Sequence, residues 1–303
     1  MDFLAGRCDL SFEFFPPRTR EGMANLSTTS HQLAELDPSF FSCTYGAGGS
    51  ARDRTFETVV AIQSAGYRAA PHVSCIGATR AHIAELLERY MASGTDCILA
   101  LRGDVCAGAA AVGEFRYANG LVAFIRETTG DHFHIQVACY PEFHPQSSSP
   151  RDDLMNFKRK AEAGADAAIT QYFFNVDSYF RFIDDCESVG INLPIVPGIM
   201  PIGNFSQLAL FSDRCGAEIP RWLRLKMQSL GDDLASIRSL GLDVVTELCD
   251  RLLAAGAPGL HFYTMNEAAL TLAICRRLGL AAPRTAVADG GFGSLNELEC
   301  TTT

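Results

Sequence analysis

Seven polar side chains interrupt or end short apolar runs: Glu13 in "SFEFFPP", Thr44 in "FFSCTYG", His72 in "APHVSC", Arg102 and Asp104 in "LALRGD", Tyr140 in "VACYPEF" and Gln171 in "ITQYFF". Such a set is too mixed for an acid and a base alone. Glu13 lies between Phe12, Phe14 and Phe15. Apolar surroundings disfavour a carboxylate, so the run predicts an acid that stays protonated nearer neutral pH and can donate its proton. The competing reading is a structural ion pair with Arg18 or Arg20. Asp104 ends "LRGD" after Gly103, where a glycine permits close backbone approach. It could accept hydrogen bonds from a flavin or pterin, or simply close a turn.

The remaining polar residues extend this picture. "NFKRK" brings Arg159 and Lys160 onto one helix after Asp153 and Asn156; a solvated helix face is the ordinary reading, and a pyrophosphate would need such a pair of cations. Gln171 is the one amide of an apolar strand and must find partners, either a pterin edge or backbone. Gln207 and Phe211, at i and i+4, share a helical face, with core packing the alternative for the ring. "CYPEFHPQ" offers Tyr140, Glu142 and His144, but the histidines form no H-x-x-x-H or matching carboxylate set, so no metal is expected. "GAGGSA", residues 46–51, fits a loose dinucleotide fingerprint, yet it follows the second strand and no acid ends the next one. It reads as a strand-to-helix loop.

Eight β-rich runs must position these residues: 10–15, 40–46, 68–75, 97–103, 132–140, 167–174, 194–200 and 259–265. Helical spacing fills the gaps. Ile83, Leu86, Leu87, Tyr90 and Met91 share one face before Gly94, and Leu154, Phe157 and Ala161 another after Asp152 or Asp153 as the cap. Residues 201–258 hold more than one helix and the only tryptophan, Trp222. The pattern predicts an α/β fold, a single (β/α)8 TIM barrel over residues 1–280 with extra helices between strands 7 and 8, and catalytic side chains at the C-terminal strand ends. A doubly wound open sheet is the alternative. Residues 281–303 read as a loosely ordered tail.

Composition narrows the partners. A formal charge of -10, from 25 Lys plus Arg against 35 Asp plus Glu, repels nucleic acid and anionic membranes. No apolar segment approaches the roughly 20 residues of a membrane span. Eleven cysteines form no C-x-x-C pair, and several sit in apolar runs, so they read as buried thiols of a reducing, cytoplasmic compartment.

In order and spacing, "SFEFFPPRT", "TYGAGGSARDRT", "PHVSCIGATR", "LALRGD", "YPEFHP", "NFKRKAEAGADAAITQYFF", "PIVPGIMPI" and "LHFYTMN" resemble the methylenetetrahydrofolate reductases, over about residues 10–278. The resemblance implies an FAD-containing (β/α)8 barrel of the short, catalytic-domain-only bacterial type, forming homo-oligomers. It implies reduction of 5,10-methylenetetrahydrofolate to 5-methyltetrahydrofolate with NADH or NADPH in ping-pong order through non-covalent FAD. The folate opens to a 5-iminium cation and takes hydride on its exocyclic carbon. By the same resemblance Glu13 is the general acid for N10, and Asp104 tunes the flavin and the cation. Thr44, His72, Arg102, Gly103, Asp104, Tyr117, Ala118, Tyr140, His144, Asp153, Asn156, Arg159 and Lys160 become FAD contacts. Asp104, Gln171, Gln207 and Phe211 become the folate and nicotinamide platform. One position departs: bacterial relatives generally read F-Y-T-L-N-R where this chain has "FYTMNE", so Glu267 replaces an arginine expected at the folate tail. Alternative functions are another FAD-dependent barrel oxidoreductase such as a proline dehydrogenase, a two-carboxylate barrel glycosidase using Glu13 with Asp104 or Glu142, or a flavin or folate binder without turnover.

Overall fold

The computed structural model describes residues 8–45, 49–103 and 113–280, the side chains of residues 49–52 excepted. Asp104, the 46–48 glycine loop and the 281–303 tail lie outside the described residues.

Strand β1 (Asp9–Phe14) pairs in parallel with β2 (Phe40–Cys43) on one side and β9 (Gly259–Tyr263) on the other. That pairing of first with last rules out the open sheet. The ladder continues through β3 (Ala69–Ser74), β4 (Cys97–Leu101), β5 (His134–Cys139) and β6 (Ala167–Thr170). Parallel neighbours need crossovers, and the helices supply them.

Closure occurs at the seventh run. It divides into β7 (Ile195–Val196), paired with β6, and β8 (Gly198–Ile199), paired with β9. Pro197 stands between them, and a proline has no N–H to give to a ladder. Its carbonyl accepts from the His261 N–H at 3.0 Å, so one extended segment bonds to both neighbours and completes the barrel. Three helices fill the expected gap before β9: α7 (Phe205–Cys215), α8 (Arg221–Ser229) and α9 (Leu234–Ala254). Trp222 lies on α8 and is half exposed.

Strand side chains alternate between two faces. Leu10, Phe12 and Phe14 of β1 join Phe41, Val73, Ile98, Val137 and Phe262 in the layer between barrel and helices. The ring centroids of Phe12 and Phe14 lie 5.8 and 5.4 Å from that of Phe41. Phe40, Ala70, Cys97, Leu99 and Ile169 pack inside the barrel. Ser11 and Glu13 alternate with the phenylalanines and share this inner face.

Two helices position residues named above. In α3 (Arg80–Ala92), Ile83, Leu86, Leu87 and Tyr90 are buried, and Gly94 follows at φ +78°, where a side chain would be strained. Helix α5 (Pro150–Glu162) starts earlier than expected. Its cap is Ser149, whose hydroxyl accepts from Asp152 N–H, rather than either aspartate. Proline at the first helical position needs no partner for an N–H, which favours the Ser-Pro start.

Candidate active site

Glu13 is buried at the C-terminal end of β1, and two histidines face it. His72 on β3 places Nε2 3.3 Å from Glu13 Oε2, and His261 on β9 places Nε2 3.7 Å from the same oxygen. Neither Nε2 makes a conventional hydrogen bond among the described residues. The far nitrogen of His261, Nδ1, is 2.7 Å from Ser11 Oγ. Four inward residues from β1, β3 and β9 thus form one polar cluster, Ser11–His261–Glu13–His72.

This geometry corrects the expected protonation state. Burial does push the Glu13 carboxyl upward, but attraction to His72 and His261 more than offsets it and holds the group down to about 2. The phenylalanines adjacent in sequence lie on the opposite face of the strand. Neither Arg18 nor Arg20 is the partner; the ion pairs are with imidazole. Burial lowers His261, disfavouring its cation. The carboxylate and the two imidazoles stand close enough together to pass a proton among them.

The backbone around Glu13 is clamped by the loop after β9. Thr264 Oγ1 donates to the Glu13 carbonyl at 2.6 Å. Asn266 Oδ1 accepts from Phe15 N–H at 2.8 Å, and its Nδ2 donates to Phe15 O at 3.0 Å. The amide acts as one further rung of the sheet beyond the strand end. Met265 and Asn266 adopt φ of +54° and +61°, a costly conformation for side-chain-bearing residues and typical of positions held for function. Glu267, the departing residue, follows on the exposed side of this turn.

The other expected residues ring the same end of the barrel. Thr44 follows β2, its N–H donating to Phe14 O. Arg102 follows β4 and donates to Gln146 Oε1. Gly103 adopts φ +86°, and a Cβ there would stand 2.0 Å from Ser74 Oγ, so only glycine fits. Tyr117 is the N-cap residue of α4 (Ala118–Thr129), with its ring exposed beneath Arg116 and no capping bond from its side chain.

Tyr140 follows β5, its ring 4.7 Å from that of His144. Asp153 holds this loop, Oδ2 accepting from His144 N–H and Oδ1 from the Ser147 hydroxyl. On α5, Arg159 is exposed and bonds Asn156, whereas Lys160 turns inward to the Ala138 carbonyl, and burial lowers its ammonium. Lys160 is thus no part of a solvated face. Gln171 follows β6; its N–H donates to Cys139 O and its Oε1 accepts from Tyr172 N–H. Gln207 and Phe211 are exposed on α7.

The sequence reading passed over His261, Ser11, Thr264 and Asn266. The available signal was the two-residue period: Ser11 is two before Glu13, and His261 is two before Tyr263, so both point into the barrel. No group of three metal-ligating side chains occurs among the described residues.

The methylenetetrahydrofolate reductase family profile matches residues 2–279. The 5,10-methylenetetrahydrofolate reductase of Salmonella typhimurium is 42% identical over 276 residues, covering 91% of this chain and 92% of that one; the Escherichia coli enzyme is 41% identical over the same length and shares. Methylenetetrahydrofolate reductase (NADH) 1 of Arabidopsis thaliana is 37% identical over 91% of this chain but 49% of its own. Among solved structures, an uncharacterized protein from Clostridium thermocellum that binds two copies of 5-methyl-5,6,7,8-tetrahydrofolic acid superposes with a TM-score of 0.65 at 18% identity, covering 90% of this chain and 96% of that one. That likeness supports the barrel fold. With the family profile and these close bacterial relatives, the chain belongs to the methylenetetrahydrofolate reductase family, oxidoreductases that act on a folate.

Proposed function

We propose that the chain reduces 5,10-methylenetetrahydrofolate to 5-methyltetrahydrofolate at the C-terminal mouth of the barrel, with FAD as resident cofactor and NADH or NADPH as electron donor. The observation that carries this reading is Glu13, a buried carboxylate between two imidazoles at the mouth of a family barrel. The methyltetrahydrofolate-binding protein of the same fold supports a folate ligand.

The donor set suits FAD. Arg102, Arg159 and the inward Lys160 offer cations to a pyrophosphate in a chain of net charge -10. Thr44, Gly103, Tyr117, Ala118, Tyr140, His144, Asp153 and Asn156, which follow β2, β4 and β5, and His72, which faces the interior from β3, would hold the cofactor together with Asp104. When bound, FAD accepts a hydride from the reduced nicotinamide and passes it to the folate.

The protein's own part is proton management and placement. Glu13, with His72 and His261 in reach of its carboxyl, delivers the proton to the departing folate nitrogen. Ser11 orients His261 through Nδ1, which directs Nε2 toward the carboxylate. Gln171 presents an amide to the pterin, and Phe211 with Gln207 forms a platform used by the two co-substrates in turn. The nine described cysteines are free, which supports work in a reducing cytoplasm. Among the described residues no helix is long and apolar enough to cross a membrane.

The test is to purify the protein, record its absorption spectrum and mix it anaerobically with NADH or NADPH, then with methylenetetrahydrofolate. A bound yellow chromophore, bleached by nicotinamide and restored by the folate, is expected. A colourless protein, or one bleached but not reoxidised by the folate, overturns the reading.

A further inference from the structure

Glu142 belongs to the loop after β5 and was not assigned above to any ligand. Its Oε2 accepts from the backbone N–H of Glu218, just beyond α7, at 2.7 Å. Its Oε1 is buried and has no partner among the described residues. Three further contacts lie along this seam. Gly216, which ends α7 at φ +77°, packs so closely that a Cβ would stand 3.1 Å from Pro145. Ser212 Oγ is 3.0 Å from the Tyr172 hydroxyl, and Cys215 Sγ is 3.4 Å from it. Phe143, directly after Glu142, adopts φ +58°, a strained conformation for phenylalanine.

Helix α7 is therefore fastened at its C-terminal end. Ser212 and, one turn earlier, Leu208 are buried, while Gln207 and Phe211, each next to one of them, are exposed. Slackness at this end reaches the exposed residues beside the anchors, Phe211 first.

We propose that Glu142 is a positioning residue for the reductase reaction, pinning the end of α7 to the loop after β5 and so setting how firmly Gln207 and Phe211 stand at the mouth. This rests on the reading of those two residues as the co-substrate platform. The titratable groups around the seam are Tyr140 and His144 on the same loop, Tyr172 after β6, Cys215 on α7 and Glu218 beyond it. Of these, the Glu218 carboxylate acts on Glu142, and it repels. Burial, aided by that repulsion and only partly offset by the backbone hydrogen bond, pushes the Glu142 carboxyl up to about 7. Below that pH the neutral acid rests in the seam. Above it an anion faces another carboxylate with one oxygen unpartnered, and the seam loosens to let water reach it.

The experiment uses the holoenzyme as wild type, Glu142→Gln and Glu142→Ala. Glutamine stays neutral at every pH and keeps a carbonyl for the Glu218 N–H; alanine removes the pin. The KM for methylenetetrahydrofolate in wild type should rise about threefold from pH 6 to 8.5 relative to Glu142→Gln, with kcat less affected. Glu142→Ala should show the raised KM at both pH values. Amide exchange over residues 205–215, corrected for the intrinsic pH effect, should be fastest in Glu142→Ala and least pH-dependent in Glu142→Gln. Glu142→Gln reproducing the wild-type rise in KM, or Glu142→Ala leaving α7 exchange unchanged, overturns the proposal. Absence of folate turnover in wild type would defeat the functional reading instead, and the exchange comparison would still decide the seam.

Discussion

On the β1–β3–β9 side of the mouth Ser11, Glu13, His72 and His261 sit on strands, Ser11 bonded to His261 and the two imidazoles 3.3 and 3.7 Å from Glu13, while Thr264 and Asn266 just beyond β9 bond the backbone of residues 13–15. On the β5–β6–α7 side the polar groups sit on loops and a helix. Phe211, Gln207 and Phe143 are exposed on a helix anchored by Leu208 and Ser212 and on a loop. The difference matches two tasks. Proton transfer needs groups fixed within hydrogen-bond reach, which strands in a closed barrel provide. Admitting two co-substrates in turn, as proposed, needs an open surface that can yield, and the exposed face of a helix at the rim offers one.

The largest expected effect would break the comparison outright. Glu13→Gln should slow the folate half-reaction by about 10²- to 10⁴-fold, the usual contribution of a general acid, while flavin reduction by nicotinamide is much less affected. Stopped-flow measurement of each half-reaction checks this; equal loss in both would remove Glu13 from the proton-transfer role. Asn266→Ala is next. It deletes two backbone hydrogen bonds, worth about 1–3 kcal/mol together, and should slow the folate half-reaction roughly tenfold. Asn266→Asp, which keeps the acceptor for Phe15 N–H, should recover part of the rate. A loss shared equally with flavin reduction would make the clamp merely structural.

On the yielding side, Phe211→Ala should raise the KM of both co-substrates about 2- to 10-fold, as expected for an aromatic contact worth about 0.5–1.5 kcal/mol, and leave the melting temperature nearly unchanged. A rise for one co-substrate alone would end the idea of a shared platform. The smallest effect sharpens the rigid side. Because Glu13 titrates lower in the folded chain than its ordinary 4.5, its stabilisation is complete above about 4.5 and is lost as pH falls through about 2. His72→Gln removes an attraction that lowers the carboxyl, so melting temperature should depend less steeply on pH between those values than in wild type. Parallel curves would mean that His72 does not hold the charge.

The eight strands, the presence of extra helices before the last strand and the place of Glu13 at a strand end were legible because hydrophobic period and strand-end polarity are local signals. What surrounds Glu13 was not. "FEFF" looks like an apolar nest only if neighbours in sequence are neighbours in space, and in a strand they face opposite layers. The residues that set its charge come from positions 72 and 261, brought beside it by sheet register that no local window contains. The clamp escaped for a related reason: Asn266 works through a left-handed turn and a backbone 251 residues away. The start of α5 and the division of the seventh strand were both set by prolines, Pro150 and Pro197.

Pro197 joins architecture to chemistry. The same carbonyl that fastens the hoop of strands shut holds the main chain of His261, two residues before Tyr263, whose hydroxyl reaches across to Thr170. The clasp of the ring and the seat of the imidazole are one bond, so a slip of the clasp would tilt the imidazole away from its acid before the rest of the hoop unrolled.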